Sequence, residues 1–301
     1  MNTGLKITAF AAALAATFGT AYGVGKGVGP VVADERPAAS PHGGHDGRGE
    51  KGERGSDGTA PGGLQISERG YALDLETSRI KAGERTEVRF SVRDGSGRKV
   101  TAYKREHGKE LHFIVASRDL TAYRHLHPVR AADGTWSVPV ELPKAGGYRA
   151  FADFTPARKG AEGVTLGADL AVSGAYAPAA LPPVEATAEV DGYEVTLAGG
   201  LRPGAARELR LTVAKGGKPV TDLQPYLGAY GHLVALRSGD LAYLHVHPND
   251  GGPGPEVSFT ATAPSSGAYR LFLDFRHEGK VRTAAFTVSA GGGVEAGGHA
   301  H

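Results

Sequence analysis

Six histidines stand in two matched phrases: HFIVASRDLTAYRHLHP from His112 to Pro128, and HLVALRSGDLAYLHVHP from His232 to Pro248. Each phrase is a His, twelve residues, then His-x-His-Pro, and the histidines recur at a constant offset of 120 (112 to 232, 125 to 245, 127 to 247). Imidazole is the commonest protein ligand for zinc and copper. A repeat that keeps three imidazoles in step while the residues between them change therefore predicts one metal site per domain, on His112, His125 and His127 and on His232, His245 and His247. Residues i and i+2 of a strand share a face about 6.5–7 Å apart, so each His-x-His presents two rings side by side. The first His of each phrase opens the strand expected to pair with it through a hairpin. Three nitrogens with an open fourth position are the layout of a catalytic zinc and equally of an ordinary copper site. Asp153 and Asp274, acids repeated within late aromatic strands, are the candidate fourth ligands.

Composition narrows the metal. The chain has no Cys and Met1 is its one Met, which excludes disulfides, thiolate zinc, iron–sulfur centres, cysteine nucleophiles and a blue-copper site. Ligands must then be nitrogen and oxygen, which points to Cu(II), Zn(II) or Ni(II). The net charge of +2 is spread rather than gathered, so no nucleic-acid partner is expected. No G-x-S-x-G, P-loop or H-E-x-x-H occurs, and Ser117 and Ser238 are out of register between the copies, so a binding protein is expected rather than an enzyme. Two other readings stand beside it. One is a cell-surface structural or interaction module whose histidines only pack and hydrogen-bond. The other is a zinc hydrolase using the open coordination position. Tyr123 and Tyr243 should share the histidine face, as hydrogen-bond partners or as core aromatics. His107 and His277 lack histidine counterparts in the other copy and are expected in solvated loops.

The elements that must position these residues are short strands. Alternating or apolar runs predict strands at 71–75, 87–92, 112–116, 123–127, 135–140 and 147–154, and again at 193–197, 207–213, 232–236, 241–247, 256–261, 268–275 and 281–288, with a hairpin turn at Asp94-Gly95-Ser96-Gly97. No helical period of comparable length competes. The expected fold is all-β: two tandem immunoglobulin-like or cupredoxin-like β-sandwich domains after an N-terminal membrane segment. Residues 1–32 form a signal peptide or anchor, since Ile7 to Val24 carry no charge and follow Lys6, a length at the border between a signal core and a membrane span. Residues 33–66 form a Gly-, His- and charge-rich tether, 67–174 the first sandwich, 175–188 a stiff linker containing APAALPP, 189–290 the second sandwich, and 291–301 a Gly/His tail. His42 and His45 in the tether, and His299 and His301 in the tail, are incidental polar residues on this reading.

The two H-x12-H-x-H-P phrases and the closing strands GGYRAFADF and GAYRLFLDF resemble extracytoplasmic bacterial metal-handling β-sandwiches of the copper-resistance, cupredoxin-like or immunoglobulin-like kind. That resemblance implies storage, buffering or delivery of Cu(II) or Zn(II) outside the cytoplasm by a membrane-anchored or secreted protein, with a metal transporter or chaperone as partner. Electron-transfer members of that kind hold copper through Cys and Met, which this chain lacks.

Overall fold

In the computed structural model of the protein the residues described are 61–244 and 246–291, His247 by its backbone alone. The N-terminal segment, most of the tether, the tail with His299 and His301, and His245 lie outside the described residues. The first half carries β1 (Ser67–Glu68), β2 (Tyr71–Asp74), β3 (Arg79–Lys81), β4 (Thr86–Asp94), β5 (His112–Ser117), β6 (Tyr123–Leu126), β7 (Val129–Arg130), β8 (Thr135–Val140), β9 (Gly146–Phe154) and β10 (Val164–Ser173). The second carries β11 (Thr187–Val190), β12 (Tyr193–Gly199), β13 (Ala206–Lys215), β14 (Lys218–Pro219), β15 (Gly231–Arg237), β16 (Tyr243–Leu244), β17 (Val246–Pro248), β18 (Glu256–Thr262), β19 (Gly267–His277) and β20 (Lys280–Ala290).

Each half is a two-sheet sandwich. The first pairs sheet β1-β2-β4-β8-β7 with sheet β3-β10-β9-β5-β6; the second pairs β11-β12-β13-β18-β17, with β14 beside β13, with β16-β15-β19-β20. Each core is filled by alternating residues of both sheets: Val88, Phe90, Phe113, Trp136 and Tyr148 in the first, Tyr193, Leu211, Phe259, Tyr269 and Phe275 in the second. The all-β expectation holds, and most expected strands lie where the period-2 pattern put them. Missing from it were the short β1, β3, β7, β11 and β14 and the long β10, whose VTLGADLAVS run mixes small residues and an acid into a strand buried along its first half.

Two expected strands are broken, for one reason. The run expected at 123–127 ends at Leu126, and β7 resumes on the other sheet beside β8; the run expected at 241–247 splits into β16 on β15 and β17 on β18. The chain changes sheet within each His-x-His-Pro phrase.

All six residues of β5 are buried, and so are Gly231 to Leu236 of β15. Strands buried on both faces read as continuous apolar runs, and here the second face is an interface between the sandwiches. Phe113 and Val115 point into their own core, whereas Ile114, Ala116, Leu120, Tyr123 and Phe151 pack against Val234, Leu236, Leu241 and Phe272. Tyr123 stacks on Phe272 with ring centroids 4.0 Å apart, and its repeat partner Tyr243 lies 5.8 Å from Phe151. The two tyrosines expected beside the histidines are therefore paired interface aromatics, related as the repeats are. Full burial of each such side chain contributes about 1.5–3 kcal/mol, which makes the two sandwiches one packed body.

The end of the expected tether is built into that body. Gly63 donates its N–H to Thr165 O (2.7 Å), Tyr243 donates to Gly62 O (2.9 Å), and the Arg149 guanidinium donates to Gly63 O and Leu64 O (both 2.7 Å). A Cβ built on Gly167 would stand 2.0 Å from Gly63 O, so this glycine is what allows the strap to lie on β10. Gly167→Ala is expected to displace the strap and cost about 1–3 kcal/mol, read as a lower midpoint in urea; an unchanged midpoint would show that the strap bears no load.

Candidate metal centre

Hairpin β5–β6 and strand β9 assemble the first histidine set. Register pairs Ile114 with His125 and His112 with Asp153, so His112, His125 and Asp153 share the face turned toward the second sandwich. His127 follows on the sheet crossing. One ring nitrogen from each of His112, His125 and His127 lies within 4.8 Å of the other two. The three residues that the phrase spacing selected are thus brought together, although His127 comes from the crossover and not from a continuous strand.

The nitrogens facing away from the cluster fix the tautomers. His125 Nδ1 lies 2.8 Å from Asp274 Oδ2, a carboxylate only 2% exposed whose other oxygen accepts the Thr283 hydroxyl. His112 Nε2 lies 3.3 Å from the Glu106 carbonyl oxygen. Carboxylates and carbonyls accept only, so each of these nitrogens carries the proton. The inward pair, His112 Nδ1 and His125 Nε2, then consists of two lone pairs 3.0 Å apart. Two lone pairs at that distance need a cation between them, a proton or a metal ion. Imidazole nitrogens on one tetrahedral ion at about 2.0–2.1 Å stand about 3.3 Å apart, so this pair fits an ion after a shift of a few tenths of an ångström, and the His127 nitrogen lies within 4.8 Å of both.

On His112 and His127 burial disfavours a proton. Burial, reinforced by neighbouring His125, lowers the pKa of His112 from 6.5 to about 3, and burial with His125 and His112 does the same for His127. His127 Nε2 is buried with no hydrogen-bond partner among the described residues, and its Nδ1 stands 3.5 Å from the Tyr226 hydroxyl. Three clustered imidazoles, one with an orphaned nitrogen, form a donor set that fits a borderline divalent ion such as Cu(II) or Zn(II).

The second half contributes directly. His232 Nε2 donates to the Tyr226 carbonyl (2.8 Å), the repeat of the His112–Glu106 bond at offset 120, and burial lowers its pKa to about 4. Its ring centroid is 6.3 Å from that of His112 and 6.2 Å from that of His125. A cavity of about 410 Å³ on the seam is lined by Glu106, His107, His112, His125, Asp153 and His232, among others. The triad of the first sandwich is held in part by the second: Asp274 stands behind His125, on the nitrogen that faces away from the cluster, where a carboxylate orients the ring. Asp153 faces the cavity and accepts from Thr165 at 2.8 Å. Of the second triad only His232 has a described side chain.

Of the two discounted histidines, His107 sits in an exposed turn as expected and His277 is corrected. His107 lines the cavity, its ring 5.2 Å from His232 and 6.2 Å from His112. The signal was the dipeptide: His107-Gly108 and Leu227-Gly228 are equivalent two-residue turns at offset 120, all four residues at positive φ. His277 is 8% exposed, with Nδ1 2.7 Å from the Tyr193 hydroxyl and Nε2 3.0 Å from Asp222. It braces the second core instead of a solvated loop.

No curated protein matches the chain in sequence. Among solved structures, domains 5–6 of the S-layer protein SbsC share 14% identity over 73% of this chain and 95% of that one, with a TM-score of 0.23. Invasin, a bacterial integrin-binding protein, shares 13% over 75% of this chain and 41% of its own, with a TM-score of 0.23. A tetra-tandem repeat from the extending region of a large adhesion protein shares 14% over 73% and 48%, with a TM-score of 0.25. The chain thus spans less than half the length of the last two. A family model matches twice, over residues 66–165 and 188–292, one copy on each sandwich. The chain belongs to the family described as a domain of unknown function, DUF8832, and carries two copies of it.

Proposed function

We propose that the chain is an extracytoplasmic protein that binds Cu(II) or Zn(II), for storage, buffering or delivery, through His112, His125 and His127 on the seam between its two sandwiches. The observation that carries this reading is the clustering of one ring nitrogen each from His112, His125 and His127 within 4.8 Å of one another, with the outer nitrogens of His112 and His125 facing acceptors. The apolar run from Ile7 to Val24 supports export, with an anchor or a cleaved signal as its two forms. A transporter or chaperone is the natural recipient in delivery. Binding rather than catalysis is favoured because Ser117 and Ser238 are out of register and the repeated Asp153 and Asp274 are each engaged by a threonine hydroxyl.

A second reading has an observation of its own. The Glu106 and Tyr226 carbonyls and the Asp274 carboxylate, itself held by Thr283, engage one ring nitrogen each of His112, His232 and His125, so the histidines would also serve as a polar brace in a surface module. The two readings separate by elemental analysis and competitive titration of the full chain with Cu(II) and Zn(II), beside a variant with His112, His125 and His127 changed to Ala. A tight equivalent lost in the variant is the expected result. Its absence in both proteins would leave the surface module standing.

A further inference from the structure

The triad is buried, so an ion must reach it. His112 is 9% exposed and His232 is 8% exposed, whereas His107 is exposed at the tip of the Glu106–Lys109 turn. Reciprocal backbone hydrogen bonds between Glu106 and Lys109 (2.8 and 3.0 Å) hold this turn, and His107 adopts φ of 50° beside Gly108 at 74°. That geometry is the type I′ turn, whose first central position favours Asn or Gly. Here it aims an imidazole from the first sandwich onto His232 of the second. The ring planes cross at 84° with centroids 5.2 Å apart. No hydrogen bond holds the His107 ring among the described residues. His232 Nε2–H is committed to Tyr226 O, which leaves its Nδ1 as a lone pair.

From solvent inward the rings form a ladder. His107 lies 5.2 Å from His232 and 6.2 Å from His112, and His112 lies 5.3 Å from both His125 and His127. All but His127 line the same cavity of about 410 Å³, room for several waters at about 30 Å³ each. We propose that His107 and His232, one from each sandwich, form an outer metal position through which a late first-row divalent ion enters and leaves the buried triad. Two imidazoles and water make a weaker donor set than the triad, which suits an exchange position: it strips part of the hydration shell near solvent and passes the ion inward.

This inference rests on the triad reading, and its test separates the two. His107→Leu places in the first turn the residue that occupies the equivalent turn of the second copy, Leu227 at φ of 56°, so the backbone is preserved. His107→Asn keeps the residue that such turns favour. The full chain and both variants are mixed with Zn(II) alone, loading is followed by stopped flow against a chromophoric competitor, and withdrawal by EDTA is followed the same way. Loading and withdrawal are both expected to slow by about tenfold in each variant, a weaker second equivalent disappears, and the affinity and stoichiometry of the tight site stay the same. Equal loading and withdrawal rates in all three proteins, with the tight equivalent present, would overturn the outer position and leave the triad intact. No tight equivalent in the unmodified chain would overturn both.

Discussion

Metal-free protein is expected to lose stability steeply as pH falls below about 6.5. His112, His127 and His232 have pKa values lowered to about 3, 3 and 4, in each case first by burial. In the unfolded chain each regains a pKa near 6.5. Below that pH the unfolded state binds protons that the folded state refuses, so the stability these groups contribute is complete above 6.5 and drains away down to pH 3–4. A fully buried histidine costs about 1.4 kcal/mol per pH unit in that window. By pH 5 the loss from His112 and His232 together is about 4 kcal/mol, with a smaller share from the more exposed His127, which solvent screens. That is a large part of the 5–15 kcal/mol typical of a domain. Lys109 beside His127 adds to its loss, while Asp274 opposes that of His232. Urea midpoints measured with chelator at pH 7, 6 and 5 check this. A flat profile would mean that the rings are solvated, and His232→Gln should remove its own share of the slope.

Asp274→Ala should be among the most damaging single substitutions in the chain. The carboxylate is 2% exposed, fixes the His125 tautomer from the other sandwich and takes the Thr283 hydroxyl. Its loss strands two buried donors. Breaking a buried pair by removing one partner costs about 3–5 kcal/mol, and losing the carboxylate behind a ligating His lowers metal affinity about 10- to 100-fold. Asp274→Asn retains an acceptor for His125 Nδ1–H and should recover much of the stability. Calorimetry of the three proteins, with and without Zn(II), separates the terms. If Asp274→Ala weakened folding but left metal affinity unchanged, Asp274 would be a brace and not an orienting group.

Much of this architecture was legible in the chain because its signals are local. Period-2 alternation set the strands, and the offset of 120 between histidines set the repeat. The same offset predicted that His112, His125 and His127 would meet, since a hairpin and an i, i+2 step suffice to bring them close. What the sequence left hidden was non-local. Nothing in a linear pattern shows that HFIVAS is buried on its second face by another sandwich, or that Asp274, 149 residues beyond His125, would stand behind it. Long-range register puts Asp153 and Asp274 on the histidine face: His112 pairs with Asp153 and His232 with Asp274. His107 went unrecognised because its counterpart is a leucine, and the conserved feature is the turn and not the side chain. The strap at Gly62–Leu64 read as tether because its hydrogen bonds are all made through the backbone and Arg149.

The most direct test of the centre is X-ray absorption on the chain loaded with one equivalent of Zn(II), beside His125→Ala treated identically. The expected spectrum has a first shell at about 2.0–2.1 Å with outer-shell scattering from three imidazoles, falling to two or fewer in the variant. A first shell of oxygen without imidazole scattering, or identical spectra from the two proteins, would contradict a metal held by His112, His125 and His127.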